Sequence, residues 1–130
     1  MIEPAAAVLS TVHYQAEIRL TCVGSGCRGD FPKPGAHHRL NVTRISCWMR
    51  GPDGATYEQG QVDLMDETGN ALLHAYVPVN STGAGGSQLI NQAFDLRVGA
   101  SQYLSIGIQL ANFTASTAYC TATGTMETLG

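Results

Sequence analysis

The stretch Val12-His-Tyr-Gln-Ala-Glu-Ile-Arg-Leu-Thr-Cys22 contains the clearest pattern in the chain. Apolar and polar residues alternate over its whole length, and this period of two is typical of a β-strand with one buried face. The same alternation returns later in Leu104-Ser-Ile-Gly-Ile-Gln-Leu110. No ten-residue window shows the apolar spacing of an amphipathic helix. The sequence therefore predicts an all-β chain.

The rest of the chain divides into further strands separated by turn signals. Residues 23–39 contain several Gly and Pro residues, which predicts a long loop. The apolar phase shifts after Val42, which predicts a β-bulge near Thr43 and Arg44. This spacing of strands predicts an antiparallel β-sandwich or jelly-roll-like domain of about seven or eight strands, stapled by disulfides. The later predicted strands are 40–49, 56–65, 73–79, 90–98, 104–110 and 117–128, with turns or loops at 51–54, 66–70 and 80–87.

The predicted domain spans residues 11–130, since no internal repeat or interdomain linker is recognisable. Residues 1–10 form an N-terminal extension in this interpretation. Its apolar part, Ala5 to Leu9, has the character of a strand that is donated to the sheet edge of a neighbouring subunit. The alternatives are that the segment packs on its own domain or is a remnant of processing.

Four cysteines allow three disulfide pairings. We favour Cys22–Cys27, which closes a short loop, and Cys47–Cys120, which joins two distant strands. Four reduced thiols are the alternative. An even cysteine count, scarce charge and abundant Thr and Ser favour an oxidising compartment, so we expect an extracellular, virion-surface or cell-surface location.

The composition excludes several classes of protein. Charged residues make up 13% of the chain, and the formal net charge is −3 at pH 7. Coiled coils and helical bundles require far more Glu, Lys and Arg. General nucleic-acid binding requires a basic surface, and a membrane helix requires an apolar run of about 18 residues. We therefore expect no nucleic-acid partner and no membrane span.

Charge is also distributed unevenly. Residues 28–50 are mostly basic and residues 51–70 are acidic. The two segments pair within the chain if the flanking strands form a hairpin, or they form complementary contacts between subunits. The remainder, residues 71–130, is nearly neutral. Edge strands of monomers are usually protected by charge, so this neutral half favours self-association into a homo-oligomer.

No catalytic or metal-binding constellation is recognisable. Asp63 and Asp66 lie beside a turn that explains them without catalysis. His74 lies on a predicted strand with no visible carboxylate partner. The spacing of His37-His38 relative to the cysteines matches no standard zinc site. The sequence predicts no enzyme activity, no metal ion and no cofactor.

Trp48 is the strongest binding candidate. It lies out of phase with its apolar neighbours, on the polar side of its strand and close to Arg50. An exposed tryptophan beside an arginine suits stacking on a sugar ring or anchoring a protein contact. The alternative is a ring covered by the 23–39 loop. Tyr57, Tyr76 and Tyr103 join this site only if the fold places them on the same face.

Two functional hypotheses follow. The leading one is a non-catalytic structural subunit of an extracellular or virion-surface assembly, self-associating through weakly charged strand edges. The alternative is a secreted carbohydrate-binding module that binds glycans through Trp48 and nearby tyrosines.

Overall fold

The computed structural model describes residues 7–24, 26–50, 57–79, 88–110 and 116–130. The predicted turn at 51–54 and loop at 80–87 lie outside these residues. Within them, the secondary structure consists of strands, and no helix occurs that is long and apolar enough to cross a bilayer. The strands are β1 (Val8–Cys22), β2 (Gly26–Asp30), β3 (His38–Arg50), β4 (Tyr57–Met65), β5 (Ala71–Pro78), β6 (Gln88–Val98), β7 (Tyr103–Leu110) and β8 (Ser116–Leu129).

The strands form two antiparallel sheets of four. Sheet 1 has the order β1-β8-β3-β6 and sheet 2 has the order β2-β7-β4-β5. Of the connections between consecutive strands, β4–β5 stays within one sheet and the others cross between the two. This arrangement is that of a jelly roll. The predicted all-β, disulfide-stapled sandwich is confirmed.

The core lies between the two sheets. The alternation of each strand directs one set of side chains inward, where burial of a large aliphatic side chain contributes about 1.5–3 kcal/mol. Sheet 1 and sheet 2 contribute to the same cluster of buried residues. Among the largest fully buried side chains are Ile45, Met49 and Ile90 from sheet 1 and Val62, Val77 and Ile106 from sheet 2.

The predicted loop at 23–39 is partly wrong, because it contains β2 and the first residues of β3. Two of the glycines that interrupted the sequence pattern, Gly26 and Gly29, have steric reasons. A Cβ on Gly26 would lie 2.5 Å from the carbonyl oxygen of Ile108, and one on Gly29 would lie 2.1 Å from Cδ2 of Leu20. Glycine marks a close approach here, not the end of a strand.

The predicted bulge in β3 is present. The register of β3 shifts between Val42 and Arg44 relative to both β6 and β8. The extra residue lets the apolar side chains on both sides of the shift face the core, since Val42 and Ile45 are both buried.

The turn between β4 and β5 follows the predicted chemistry. Oδ1 of Asp66 accepts hydrogen bonds from the backbone nitrogens of Thr68 and Asn70, each at 2.9 Å. Gly69 has a φ of 86°, a left-handed conformation that favours glycine. This turn sets β4 and β5 side by side.

The first strand begins at Val8, inside the segment that the sequence assigned to an extension. Val8 and Ser10 pair with Leu129 and Thr128 of β8 in the same chain. Residues 1–6 lie outside the described residues. Strand donation by this segment, and the boundary between residues 10 and 11, stay predictions.

Both favoured disulfides are present. Cys22–Cys27 joins the end of β1 to β2, and Cys47–Cys120 joins directly opposed residues of β3 and β8. The first bridge ties the two sheets together at one end of the sandwich. The second fixes the two central strands of sheet 1.

Candidate functional site

The fold separates the predicted binding residues. Trp48 lies on the outer face of sheet 1 and is 40% exposed, whereas Tyr76 lies on the outer face of sheet 2 and is 69% exposed. Tyr57 is buried in the core, and Tyr103 is half-buried. The side chain of Arg50 lies outside the described residues. Trp48 and Tyr76 therefore belong to two different surfaces.

Trp48 is part of a row of side chains that crosses sheet 1. Its partner on β8 is Tyr119, with ring centroids 6.0 Å apart and an interplanar angle of 28°. Arg19 on β1 lies 6.0 Å from the centroid of Tyr119, and Leu89 on β6 is the partner of Trp48 on its other side. Cross-strand stacking of this kind stabilises the sheet. Tyr119 and Leu89 occupy the positions on either side of the indole ring.

A shallow depression of about 440 Å³ lies beside this row. Its polar lining comes from Glu17 on β1, Thr121 on β8, Ser46 on β3 and Asn91 on β6. These residues form the next row across sheet 1, because they are register partners of one another. The surface around Trp48 is thus an aromatic row next to a small polar hollow.

The outer face of sheet 2 contains a buried carboxylate. Asp63 on β4 is 1% exposed although its side chain points away from the core. Its Oδ2 pairs with Nη2 of Arg28, and its Oδ1 accepts a hydrogen bond from Nε2 of Gln61 at 2.8 Å. Nδ1 of His74 lies 2.6 Å from the same Oδ1, so this nitrogen carries the proton of a further hydrogen bond.

The expectation that His74 has no carboxylate partner is therefore wrong. The β4–β5 hairpin places His74 directly opposite Asp63. This pairing could not be predicted from the sequence, because the register of β4 against β5 shifts near the turn, between Leu64 and Met65. A shift of one residue exchanges the faces of a strand, so the partner of a histidine cannot be counted from the turn alone.

The basic and acidic segments of the sequence meet at this network. Arg28 belongs to the basic segment and Asp63 to the acidic one. They lie on β2 and β4, which flank β7, so the ion pair spans a strand and is not a hairpin pair. The hairpin that we considered as the route to this pairing does not form, because β3 and β4 lie in different sheets.

The network controls the ionisation of Asp63. Burial raises the pKa of this carboxyl, but hydrogen bonds from Gln61, Arg28 and His74 and the charge of Arg28 lower it more. The net effect is a pKa below the ordinary value, so the folded protein favours the carboxylate.

We expect the free energy of unfolding of Asp63→Asn to change less between pH 7 and pH 2 than that of the wild type. A lowered carboxyl pKa stabilises the folded state above the unfolded pKa of about 3.9, and this contribution disappears as pH falls through the folded value. The variant should therefore be less stable than the wild type at pH 7, with the difference shrinking toward about pH 2. Urea unfolding from pH 7 to pH 2 measures this.

Asp95→Asn is the control, since it removes the same charge at an exposed position of β6. It should change the free energy of unfolding at pH 7 by less than Asp63→Asn does. Parallel curves for Asp63→Asn and the wild type would show that the network contributes no pH-dependent stability.

A second depression lies next to the Asp63 network, over Gly107 of β7. It has a volume of about 460 Å³. Arg28, Gly107, Gln61 and Tyr76 are register partners that cross sheet 2 in one row. The adjacent row contributes Gln109 and Gln59, whose amides lie 3.5 Å apart.

The outer strands of the sheets differ in charge. β2 and β6 each contain one acidic and one basic residue, whereas β5 contains neither Asp, Glu, Lys nor Arg. On β5, Leu72 is 49% exposed and Leu73 is 54% exposed. On β1, Val8, Leu9 and Val12 are exposed as well. The apolar edges are thus β5 and the first half of β1.

A metal centre has no support in the part of the chain that the structure describes. No group of three or more His, Cys, Asp or Glu side chains occurs there in a metal-binding arrangement.

Comparisons with known proteins give no family. No family model matches the chain, and no curated protein matches it. Among solved structures, a disulfide-linked pilus protein of Bacillus endospore appendages is 15% identical, with 100% of both chains covered and a TM-score of 0.40. A protein of infectious bursal disease virus, Gx strain, is 11% identical, with 100% of this chain and 41% of that chain covered and a TM-score of 0.46.

A family 11 carbohydrate-binding module from Clostridium thermocellum, in complex with a mixed-linked tetrasaccharide, is also similar. It is 11% identical, with 98% of this chain and 94% of that chain covered and a TM-score of 0.39. At these identities and TM-scores the similarities support no functional assignment.

Proposed function

We propose that this protein is a non-catalytic structural subunit that self-associates by pairing the open edge of β5 with a second copy of the chain. The observation that carries this proposal is β5 itself. It is an outer strand of sheet 2, eight residues long, uncharged, with Leu72, Leu73 and Tyr76 exposed. Such an edge presents unpaired backbone groups and apolar side chains to another strand.

The other edges of the sandwich support this choice. Monomeric proteins protect edge strands with charge, bulges or proline. Arg28 and Asp30 provide charge on β2, and Asp95 and Arg97 provide it on β6. On β5 the single proline, Pro78, occupies the last position, and no described strand pairs with the outer side of β5. Among the described residues, this protection is therefore present on β2 and β6 and missing on β5. The first half of β1 is apolar as well, but Glu17 and Arg19 provide charge on the second half of that strand.

The disulfides support an extracellular, virion-surface or cell-surface location. Two bridges use all four cysteines. Disulfides persist in oxidising compartments and are rare in the cytosol. A structural subunit exposed to oxidising conditions gains stability from its disulfides and needs no cofactor for this.

The alternative function is glycan binding by Trp48 with nearby tyrosines. What favours it is the partly exposed indole beside the polar hollow formed by Glu17 and Asn91. What weakens it is the row in which the indole lies, because Tyr119 and Leu89 flank the ring on the neighbouring strands. Of the predicted tyrosines, neither Tyr57 nor Tyr76 lies on this face.

Light scattering coupled to size-exclusion chromatography tests the assembly. We expect the wild type to form a defined oligomer or filament and Leu72→Lys/Leu73→Lys to elute as a 13.7 kDa monomer. Two lysines on the edge place like charges at the strand pairing, which we expect to raise the dissociation constant about a hundredfold or more.

Ala93→Lys is the matched control, because it adds a lysine to an exposed position of the other sheet's outer strand β6. It should leave the oligomer intact. A wild type that stays monomeric at high concentration would sink the proposal.

A further inference from the structure

We propose that the depression over Gly107, on the outer face of sheet 2, is a binding site for a neutral saccharide. This site lies on the opposite face of the sandwich from Trp48, and it borders the β5 edge, because Tyr76 belongs to both surfaces. It would give the subunit a binding activity in addition to its structural role.

Gly107 is the starting point, because no described residue explains its lack of a side chain. At the other described strand glycines a Cβ would collide with its surroundings: 2.5 Å from the nearest atom at Gly26, 2.1 Å at Gly29, 2.6 Å at Gly60 and 1.9 Å at Gly124. A Cβ on Gly107 would meet only Nη1 of Arg28 at 3.5 Å and the carbonyl oxygen of Cys27 at 3.7 Å. These are ordinary contacts.

A glycine in a strand is unfavourable without a reason. It costs about 0.5–1 kcal/mol relative to alanine, and it often marks a place where a ligand or another backbone approaches closely. Gly107 has a normal backbone conformation and enough room for a methyl group. Since no described residue approaches Gly107 from the outer face, we take the approach of a ligand as the reason for this glycine.

The walls of the depression are held in place by the buried Asp63. Arg28 stands on one side of Gly107 and Gln61 on the other. Nη2 of Arg28 and Nε2 of Gln61 both donate to Asp63. Nη1 of Arg28 remains beside the floor as a donor, and Oε1 of Gln61 is an acceptor that this bond does not use. Side chains fixed in this way lose less entropy when a ligand binds.

The chemistry of the lining selects the ligand class. The amides of Gln59, Gln61 and Gln109 each offer a donor and an acceptor, as neighbouring hydroxyls of a sugar require. Asp63 compensates the charge of Arg28, so the site favours a neutral ligand over an anion. Tyr76 stands at the end of the same row and offers an exposed ring for stacking on a sugar.

Affinity gel electrophoresis of the full chain tests the site, with laminarin, xylan, galactomannan, dextran and hydroxyethylcellulose as probes. We expect at least one of them to retard the wild type. Calorimetric titration with that polysaccharide then measures the dissociation constants of two variants. Gly107→Val fills the floor of the depression, and Gln61→Ala removes an amide from its wall. Each should raise the dissociation constant about tenfold or more, which corresponds to about 1.4 kcal/mol. Valine excludes the ligand from the floor, and alanine removes the hydrogen bonds of the Gln61 amide.

Trp48→Ala is the control for the opposite face and should bind like the wild type. Circular dichroism verifies the fold of each variant, and Gln61→Ala and the smaller Gly107→Ala keep the test valid if valine is not accommodated. Retardation by none of the five probes overturns the proposal. So does binding that Trp48→Ala abolishes and Gly107→Val leaves unchanged. Light scattering on the same variants reports assembly separately.

Discussion

Replacing Cys47 and Cys120 together by alanine is expected to lower the free energy of unfolding by about 4 kcal/mol. The bridge closes a segment with a sequence separation of 73 between β3 and β8. Cross-linking such distant positions removes much of the conformational entropy of the unfolded chain. Both cysteines are buried in the core, so their loss also removes packing contacts. Urea unfolding of the oxidised wild type and the variant measures the difference.

The second bridge provides an internal control. Cys22 and Cys27 have a sequence separation of 5, and a loop this short corresponds to about 2 kcal/mol on the same entropic argument. Cys22→Ala/Cys27→Ala should therefore cost clearly less than the other double substitution. Equal losses would show that loop length does not govern the contribution of these bridges.

The sequence predicted those parts of the fold whose information is local. The alternation in β1 and β7 depends only on which side chains face the core, and the β4–β5 turn depends on Asp66 and Gly69. The bulge at Thr43 was also visible, because it changes the phase of one strand. Each of these features can be identified from a few consecutive residues.

The sequence did not predict features that depend on contacts between distant strands. β2 was missed because Gly26 and Gly29, which allow its close packing, also resemble loop residues. The His74–Asp63 contact was missed because it depends on the register of a hairpin with a bulge. Local patterns do not contain the alignment of one strand against the next.

The candidate sites also combine features that the local sequence shows with features that depend on strand pairing. Trp48 was found because its phase is visible in its own strand, but its partner Tyr119 comes from β8 and depends on pairing. Gly107 occupies a polar-phase position between Ile106 and Ile108 in the regular alternation of β7, so it does not stand out in the sequence. Its significance depends on the empty space above it, which only the fold defines.

Gly124→Ala should be among the most damaging single substitutions in the described sheets. Gly124 on β8 lies opposite Val42, next to the bulge of β3. A Cβ there would lie 1.9 Å from the carbonyl oxygen of Asn41 and 3.0 Å from Cα of Val42. Both are backbone atoms, so no side-chain rotation relieves the overlap and the central strands of sheet 1 must separate. We expect a loss of about 3 kcal/mol.

Gly107→Ala is the control for Gly124→Ala, since it places the same methyl group in a strand of the other sheet. Its Cβ has room, and alanine restricts the unfolded chain more than glycine does, so we expect a gain of about 0.5 kcal/mol. Urea unfolding of both variants at pH 7 measures the contrast. A comparable loss at both positions would mean that Gly107 is required by the fold, and the external-ligand explanation of that glycine would then fail with it.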